Sequence, residues 1–356
     1  MISVDCPSCA DERAAGAAFC EACGRPLTEP ATAPAPAEAT PAQAEAVAAC
    51  PHCGTPGAVG ADGYCENCGM LAVRPRDHLE TDAGRSGAAV TDRGLRHHRN
   101  EDAVWLAVRG ADIDVVVCDG VSSSFDPDVA SAAAVETAGD LLTTAGDDLP
   151  KQLGVAIAAA GAVVAALATS GDPRRAASNP ACTIVAACVR GTDIGYGWVG
   201  DSRAYWLPAE GPAEQLTEDD SWASQAIALG ASPAQAMRNP KAHAITAWLG
   251  ADAGPVEART GRFQATAPGH LVLCSDGLWN YLTDPAVFAD TVRAHLRDGD
   301  LITAARTLTA FANDAGGADN ITVALVPVTH VPAAGAPTAD RRTVSVATAA
   351  DVSTAE

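Results

Sequence analysis

Five short segments of this chain place acidic residues where they could do chemistry. VVVCDG, ending at Gly120, and LVLCSDG, ending at Gly277, are similar devices: an apolar run delivers an aspartate and then a glycine at its tip. RNED (99–102), GDSRAY (200–205) and GGADNITV (316–323) add further carboxylates. A lone Asp-Gly pair is ordinarily a turn, but two on matching apolar strands are harder to read that way. Carboxylates gathered without an equal set of Lys or Arg repel one another unless they hold cations. Hard oxygen donors suit Mg²⁺ or Mn²⁺. Two such ions close together acidify a bridging water and neutralise a phosphoryl group under in-line attack.

A second constellation lies near the start. CPSC, ten residues, then CEACG is followed by CPHC, eleven residues, then CENCG. Thiolates two residues apart in a tight turn point at one ion, and two such pairs complete a tetrahedral Cys₄ site. Cys6, Cys9, Cys20 and Cys23 are thus expected to hold one structural Zn²⁺, and Cys50, Cys53, Cys65 and Cys68 another. His52 is read as a loop residue, because four thiolates suffice. The segment through Glu80 carries four arginines and no lysine against eleven acids, which favours a protein partner for the ribbons over nucleic acid. Cys118, Cys182, Cys188 and Cys274 sit in apolar runs and read as small core residues.

These groups need a frame. The composition shifts predict zinc ribbons at 1–25 and 50–72, a Pro/Ala-rich linker at 26–49 and a polar linker at 73–88. A globular domain over 89–329 and a disordered tail over 330–356 complete the division. Within the globular part, strands are expected near 112–118, 182–190, 193–199, 203–207, 256–263, 270–274 and 321–328. Helices are expected near 126–142, 153–168, 285–296 and 301–312. Asp126 reads as an N-cap before Pro127. Strands in runs with helices paired between them predict an α+β fold with antiparallel sheets sandwiched by helices. The formal net charge of -21 makes nucleic acid and anionic membrane surfaces poor partners. No signal-like start or spanning run is read, so the expected compartment is the cytoplasm, with cysteines as thiols or metal ligands.

In order, TDRGLRHHRNEDA, VVVCDG, ACTIVAACV, GWVGDSRAYWL, QLTEDDSW, AITAWLG, HLVLCSDGLWNYL and GGADNITVALV resemble the bacterial metal-dependent, type-2C (PPM-type) serine/threonine protein phosphatases. The resemblance implies a four-layer αββα sandwich preceded by the ribbons, and hydrolysis of phosphoserine or phosphothreonine by a metal-bridging hydroxide. Its substrates would be phosphorylated proteins, the products of Ser/Thr kinases. It also implies that Asp119 bridges two Mn²⁺ or Mg²⁺ ions and that the Gly120 carbonyl completes one of them. Asp276 and Asp319 would ligate the other, Asp102 and Glu101 would hold metal waters, and Asp201 with Asp276 would bind a third ion. The segment 221–251 corresponds to a flap beside the active site, in which Trp222 and Met237 are expected to pack.

Two departures stand out. The usual phosphate-clamping Arg is replaced by His97, which leaves His97, Arg93, Arg96 and Arg99 as phosphate-binding candidates. VSSSF (121–125) replaces the usual Gly-Gly, often followed by His, so no general-acid His is supplied there, and Ser122, Ser123 and Ser124 read as loop hydrogen-bonders. The departures motivate an alternative: a weakly active phospho-sensor or scaffold whose zinc ribbons bind protein partners. A zinc-ribbon nucleic-acid binder is opposed by the acidic balance.

Overall fold

The computed structural model describes residues 49–329 except 51, 52, 61, 62, 71, 73, 145, 147, 298 and 299, together with the backbone of 342–348. It divides into two compact units, one through Ala72 and one from Val73. In the first unit, two short bridges, Ala49 to Pro56 and Val59 to Cys65, bring both CxxC turns of the second ribbon together. Cys6, Cys9, Cys20, Cys23 and His52 lie outside the described residues.

In the second unit the strands are β1 (His78–Asp82), β2 (Ala88–Asp92), β3 (Ala103–Arg109), β4 (Asp112–Cys118), β5 (Ala181–Cys182), β6 (Ile184–Arg190) and β7 (Asp193–Val199). They continue with β8 (Arg203–Pro208), β9 (Glu214–Gln215), β10 (Leu249–Gly250), β11 (Glu257–Gln264), β12 (Gly269–Cys274), β13 (Ile321–Val328) and β14 (Arg342–Thr348). The helices are α1 (Pro127–Leu142), α2 (Leu149–Leu167), α3 (Arg174–Ala177), α4 (Trp222–Ala228), α5 (Pro233–Ala236), α6 (Asp276–Trp279), α7 (Pro285–Leu296) and α8 (Leu301–Asp314).

One sheet runs β1-β2-β13-β12-β8-β9 and the other β14-β11-β7-β6-β4-β3, with every neighbouring pair antiparallel. Between the sheets lie Val115, Val117, Tyr196 and Trp198 from one and Leu271, Leu273, Ala324 and Val326 from the other. The opposite faces are covered by helices. Val116, Cys118, Ile184 and Ala186 meet Leu142, Leu153 and Ile157 of α1 and α2. Val272, Cys274, Val323 and Leu325 meet Phe288 and Leu308 of α7 and α8. The architecture is a four-layer αββα sandwich of the α+β class. Burial on both faces explains why residues 115–118 of β4, and most of β6 and β13, read as apolar runs.

The structure corrects the sequence reading at four places. The expected linker 73–88 contains β1, which pairs with β2 through a turn at Gly84 (φ 61°). Its residues, HLETD, are mostly exposed, so a polar edge strand carries no apolar signal. In the expected tail, Arg342–Thr348 is an edge strand paired along β11 from Phe263↔Arg342 to Glu257↔Thr348. The alternating Val344, Val346 pattern is period-2 but short. Asp126 is the N-cap of α1 ahead of Pro127, as expected, but it is left-handed (φ 53°) and its side chain makes no cap hydrogen bond; its carboxylate pairs instead with Arg175 Nε at 2.8 Å. In the flap, Trp222 packs on Ala223, Ala236 and Ala242, whereas Met237 stays exposed.

Candidate active site

The strand ends deliver their acids to one place. β4 ends just before Asp119, whose carbonyl accepts Thr183 N (2.7 Å) and whose N–H donates to Thr183 Oγ1 (3.3 Å), so the residue before β6 fixes the end of β4. β12 passes through buried Ser275 into α6, which makes Asp276 a first-turn residue of a short helix rather than a strand end. Asp319 and Asn320 precede β13, and Asn320 N donates to Asp319 Oδ1 (2.8 Å). Two glycines permit the close approach. A Cβ on Gly277 would lie 1.9 Å from the Asn320 carbonyl, and one on Gly94 (φ 71°) would lie 2.1 Å from that of Asp319.

Asp102 lies beneath this group, 2% exposed. Its Oδ2 accepts Ser275 Oγ and Thr322 Oγ1, both at 2.7 Å. Its Oδ1 is buried without a partner, and so is Asp276 Oδ1, while Asn280 Nδ2 donates to Asp276 Oδ2 at 3.1 Å. Glu101 is oriented by Ser122 Oγ, which donates to Oε2 at 2.6 Å. Asp201 is buried, and its carbonyl accepts the Trp279 indole N–H (3.0 Å). Arg203 stacks 3.4 Å over that indole and is bidentate to Asp219 (2.8 and 2.7 Å).

The electrostatics follow from desolvated like charges. Desolvation, and then Asp102, Asp276, Asp201 and Asp319 as neighbours, hold Asp119 well above the carboxylate range. Asp102 is pushed to about 7 by burial, against its two hydroxyl hydrogen bonds and with the charges of Asp319 and Asp276. Asp276 is pushed to about 7 by desolvation and by Asp319. Burial, then Asp276 and Asp219, raise Asp201, and burial raises Glu101. Asp119, Asp276, Asp319, Asp102 and Asp201 are therefore one electrostatic cluster. Buried carboxylate oxygens without a partner and mutual repulsion are relieved by a divalent cation, and the all-oxygen donor set fits Mn²⁺ or Mg²⁺.

The cationic candidates are distributed differently. His97 Nε2 lies 3.1 Å from Asp319 Oδ1, so this imidazole faces a carboxylate. Arg99 points away, its NH1 3.9 Å from Asp77 Oδ2. Arg93 is half-buried, and its carbonyl accepts Asn320 Nδ2 (2.8 Å). Arg96 is exposed beside Gly316 and has no ion-pair partner among the described residues.

Sequence reasoning missed the neutral residues that hold the acids. Asn320 ties three segments together: Nδ2 donates to the carbonyls of Arg93 and Arg99 (2.8 and 2.9 Å), and Oδ1 accepts Glu101 N (2.8 Å). Ser275 and Thr322 aim Asp102. Their only signal was a polar residue inside an apolar run.

In the other unit, Cys50, Cys53, Cys65 and Cys68 place all four Sγ atoms within 4.8 Å of one another. Cys50 and Cys68 are 3.7 Å apart, and Cys53 and Cys65 3.6 Å. A tetrahedron with Zn–S bonds of about 2.3 Å puts sulfurs about 3.8 Å apart, so the set fits Zn²⁺.

Residues 93–311 match the family described as Protein phosphatase 2C, and residues 6–69 match Double zinc ribbon. The chain belongs to the protein phosphatase 2C family. Over 245 residues it is 31% identical to the serine/threonine phosphatase stp of Listeria monocytogenes, a match covering 66% of this chain and 93% of that one. Over 243 residues it is 28% identical to the serine/threonine protein phosphatase PstP of Mycobacterium tuberculosis, a match covering 68% of this chain but 44% of PstP. The chain thus spans less than half the length of that relative. A crystal structure of the PstP catalytic domain in complex with two manganese ions aligns at a TM-score of 0.55 and 27% identity, covering 68% of this chain and 97% of that one. The Streptococcus agalactiae serine/threonine phosphatase aligns at 0.59 and 26%, covering 71% and 100%.

Proposed function

We propose that this protein is a metal-dependent serine/threonine protein phosphatase that hydrolyses phosphoserine and phosphothreonine in proteins. What supports the reading is that Asp102, Asp276, Asp201 and Asp319, from separate elements, all raise Asp119, and that Asp102 and Asp276 each keep one buried oxygen without a partner. The related proteins named as phosphatases support it, and nothing favours the scaffold alternative.

In this reading Asp119, the Gly120 carbonyl, Asp276 and Asp319 hold two Mn²⁺ or Mg²⁺ ions, and Asp201 joins Asp276 in holding a third. When bound, the ions supply an acidified water and neutralise charge on the phosphoryl group. The chain's own residues prepare the geometry. Ser275 and Thr322 fix one oxygen of Asp102 so that the other faces the cluster. Asn280 does the same for Asp276. Ser122 orients Glu101, and His97 steadies Asp319. Arg96, exposed and unpaired, takes the phosphate-clamping role in place of the expected Arg at position 97, because a guanidinium binds phosphate oxygens bidentately.

Zn²⁺ in the cysteine sites staples the ribbons, which recognise a protein partner. Substrates are products of Ser/Thr kinases. A cytoplasmic placement, in which the cysteines stay thiols or metal ligands, is part of this proposal.

The test is Mn²⁺-dependent dephosphorylation of a phosphothreonine peptide by the full chain, run beside Asp276→Asn. Loss of turnover in the variant is expected. Retained turnover would reject the role of Asp276, and absence of turnover in the unaltered protein with Mn²⁺ bound would reject the function.

A further inference from the structure

The segment that follows the ribbon unit is built into the back of the carboxylate site. Asp77 is 2% exposed, a rare position for an acid, in a stretch whose composition reads as a linker. Its Oδ2 accepts Arg74 N (2.7 Å), and its Oδ1 accepts Asn100 N (3.2 Å) and the Arg74 guanidinium (3.3 Å). The Asp77 carbonyl accepts Arg93 N (2.8 Å).

Asn100 is fully buried and passes the constraint on. Its Nδ2 donates to the Arg76 carbonyl (3.2 Å) and to Thr91 Oγ1 (2.9 Å), and its Oδ1 accepts Asp102 N (3.2 Å). Arg74 and Arg76 reach on to the Asp128 carboxylate in the first turn of α1, at 2.9 and 3.5 Å. Ser131 closes the loop by donating to the carbonyls of Glu101 and Asp128. Residues 74–77 therefore clamp the backbone of Asn100, Glu101 and Asp102 against the start of α1. They precede the stretch, 93–311, that matches the phosphatase family.

We infer that Asp77 is a positioning residue for the metal site. By holding Asn100 from behind, it sets the direction in which Asp102 and Glu101 present their oxygens. Metal affinity thus depends on a side chain in the segment joining the ribbon unit to the phosphatase unit. The inference rests on the metal-holding part of the reading above. A buried acid that merely stabilises the fold would lower the melting temperature and leave metal affinity unchanged.

The experiment measures Mn²⁺ binding to the full chain by the electron paramagnetic resonance of free Mn²⁺. It is run beside thermal melting and phosphopeptide kinetics. Asp77→Asn keeps the shape while replacing one acceptor oxygen with a donor. It is expected to weaken Mn²⁺ binding about 10-fold, the range seen when an outer partner of a ligand is lost. The Mn²⁺ needed for half-maximal turnover should rise by the same factor, with KM at saturating Mn²⁺ changed less than about twofold. Asp77→Ala should go further in the same direction. Arg306→Ala removes the Glu80–Arg306 surface pair on the neighbouring β1 strand and should leave Mn²⁺ affinity unchanged. Wild-type Mn²⁺ affinity in folded Asp77→Asn would overturn the inference, and so would an equal weakening in Arg306→Ala. If Asp77→Ala does not fold, Asp77→Asn decides. Unaltered protein that binds Mn²⁺ but turns over no phosphopeptide would reject the phosphatase reading and leave this one standing.

Discussion

Raising the pH without added divalent cation should loosen the phosphatase unit, and Mn²⁺ should reverse that trend. Asp102 and Asp276 are both held at about 7 in the folded protein, against about 3.9 for an unfolded aspartate. Between those values the folded state binds the extra proton. Stability is therefore highest at the acid end and falls as the pH rises towards 7 and beyond. One such carboxyl costs about 2 kcal/mol between about pH 5.5 and about pH 8, by linkage between those two pKa values. Only one equivalent is counted, because charges this close titrate as a group. Asp119 and Asp201 are displaced in the same direction and belong to the same coupled group. For a domain of this size each kcal/mol shifts Tm by about 2–4 °C, so a fall of about 4–8 °C is expected.

Tryptophan fluorescence isolates the relevant transition. All six tryptophans (Trp105, Trp198, Trp206, Trp222, Trp248 and Trp279) lie in the phosphatase unit, so events at the cysteine sites are silent. Saturating Mn²⁺ needs the carboxylates ionised and binds better as pH rises. The gap between loaded and unloaded Tm should therefore widen from acid to alkaline pH. Asp276→Asn, which removes one charge, should flatten the unloaded slope. An unloaded Tm that stays level or climbs across this range would refute the argument that these acids crowd one another without cations.

Other expectations are read from individual contacts. Arg96→Ala should raise KM for a phosphopeptide about 10-fold or more, the scale of a lost charge-assisted phosphate contact of about 1.5–3 kcal/mol; an unchanged KM would return the clamp to Arg93 or His97. Gly277→Ala puts a methyl group 1.9 Å from the Asn320 carbonyl, so α6 must shift and carry Asp276 away from Asp319; Mn²⁺ affinity and Tm should both drop, and a variant with normal values would show that this approach is not needed. Cys65→Ser should release one zinc per chain, counted by atomic absorption, with the tryptophan-detected Tm of the Mn²⁺-loaded protein unchanged.

The acids of this site were legible because two physical signatures coincide in them. A strand buried on both faces is mostly apolar, so residues 115–118 of β4 and 271–274 of β12 show as short unbroken runs, and an acid just past the end of such a run is conspicuous. Nothing similar marks the residues that aim those acids. Ser275 and Thr322 are small hydroxyl side chains whose value lies in a partner far along the chain: Ser275 meets Asp102 across 173 positions and Thr322 across 220. Asp77 was hidden for the opposite reason. It lies among polar residues before an exposed edge strand, where low hydrophobicity reads as linker, yet it is buried because Asn100, Arg74 and Arg99 surround it. Burial through polar satisfaction leaves no periodic trace, whereas burial through apolar area does. The same asymmetry explains β14, where a seven-residue alternation in an Ala/Thr/Pro-rich context is too short to stand out until β11 offers its edge. The ligands of a metal site thus announce themselves by type and spacing, while the geometry that makes them ligands is written in long-range hydrogen bonds.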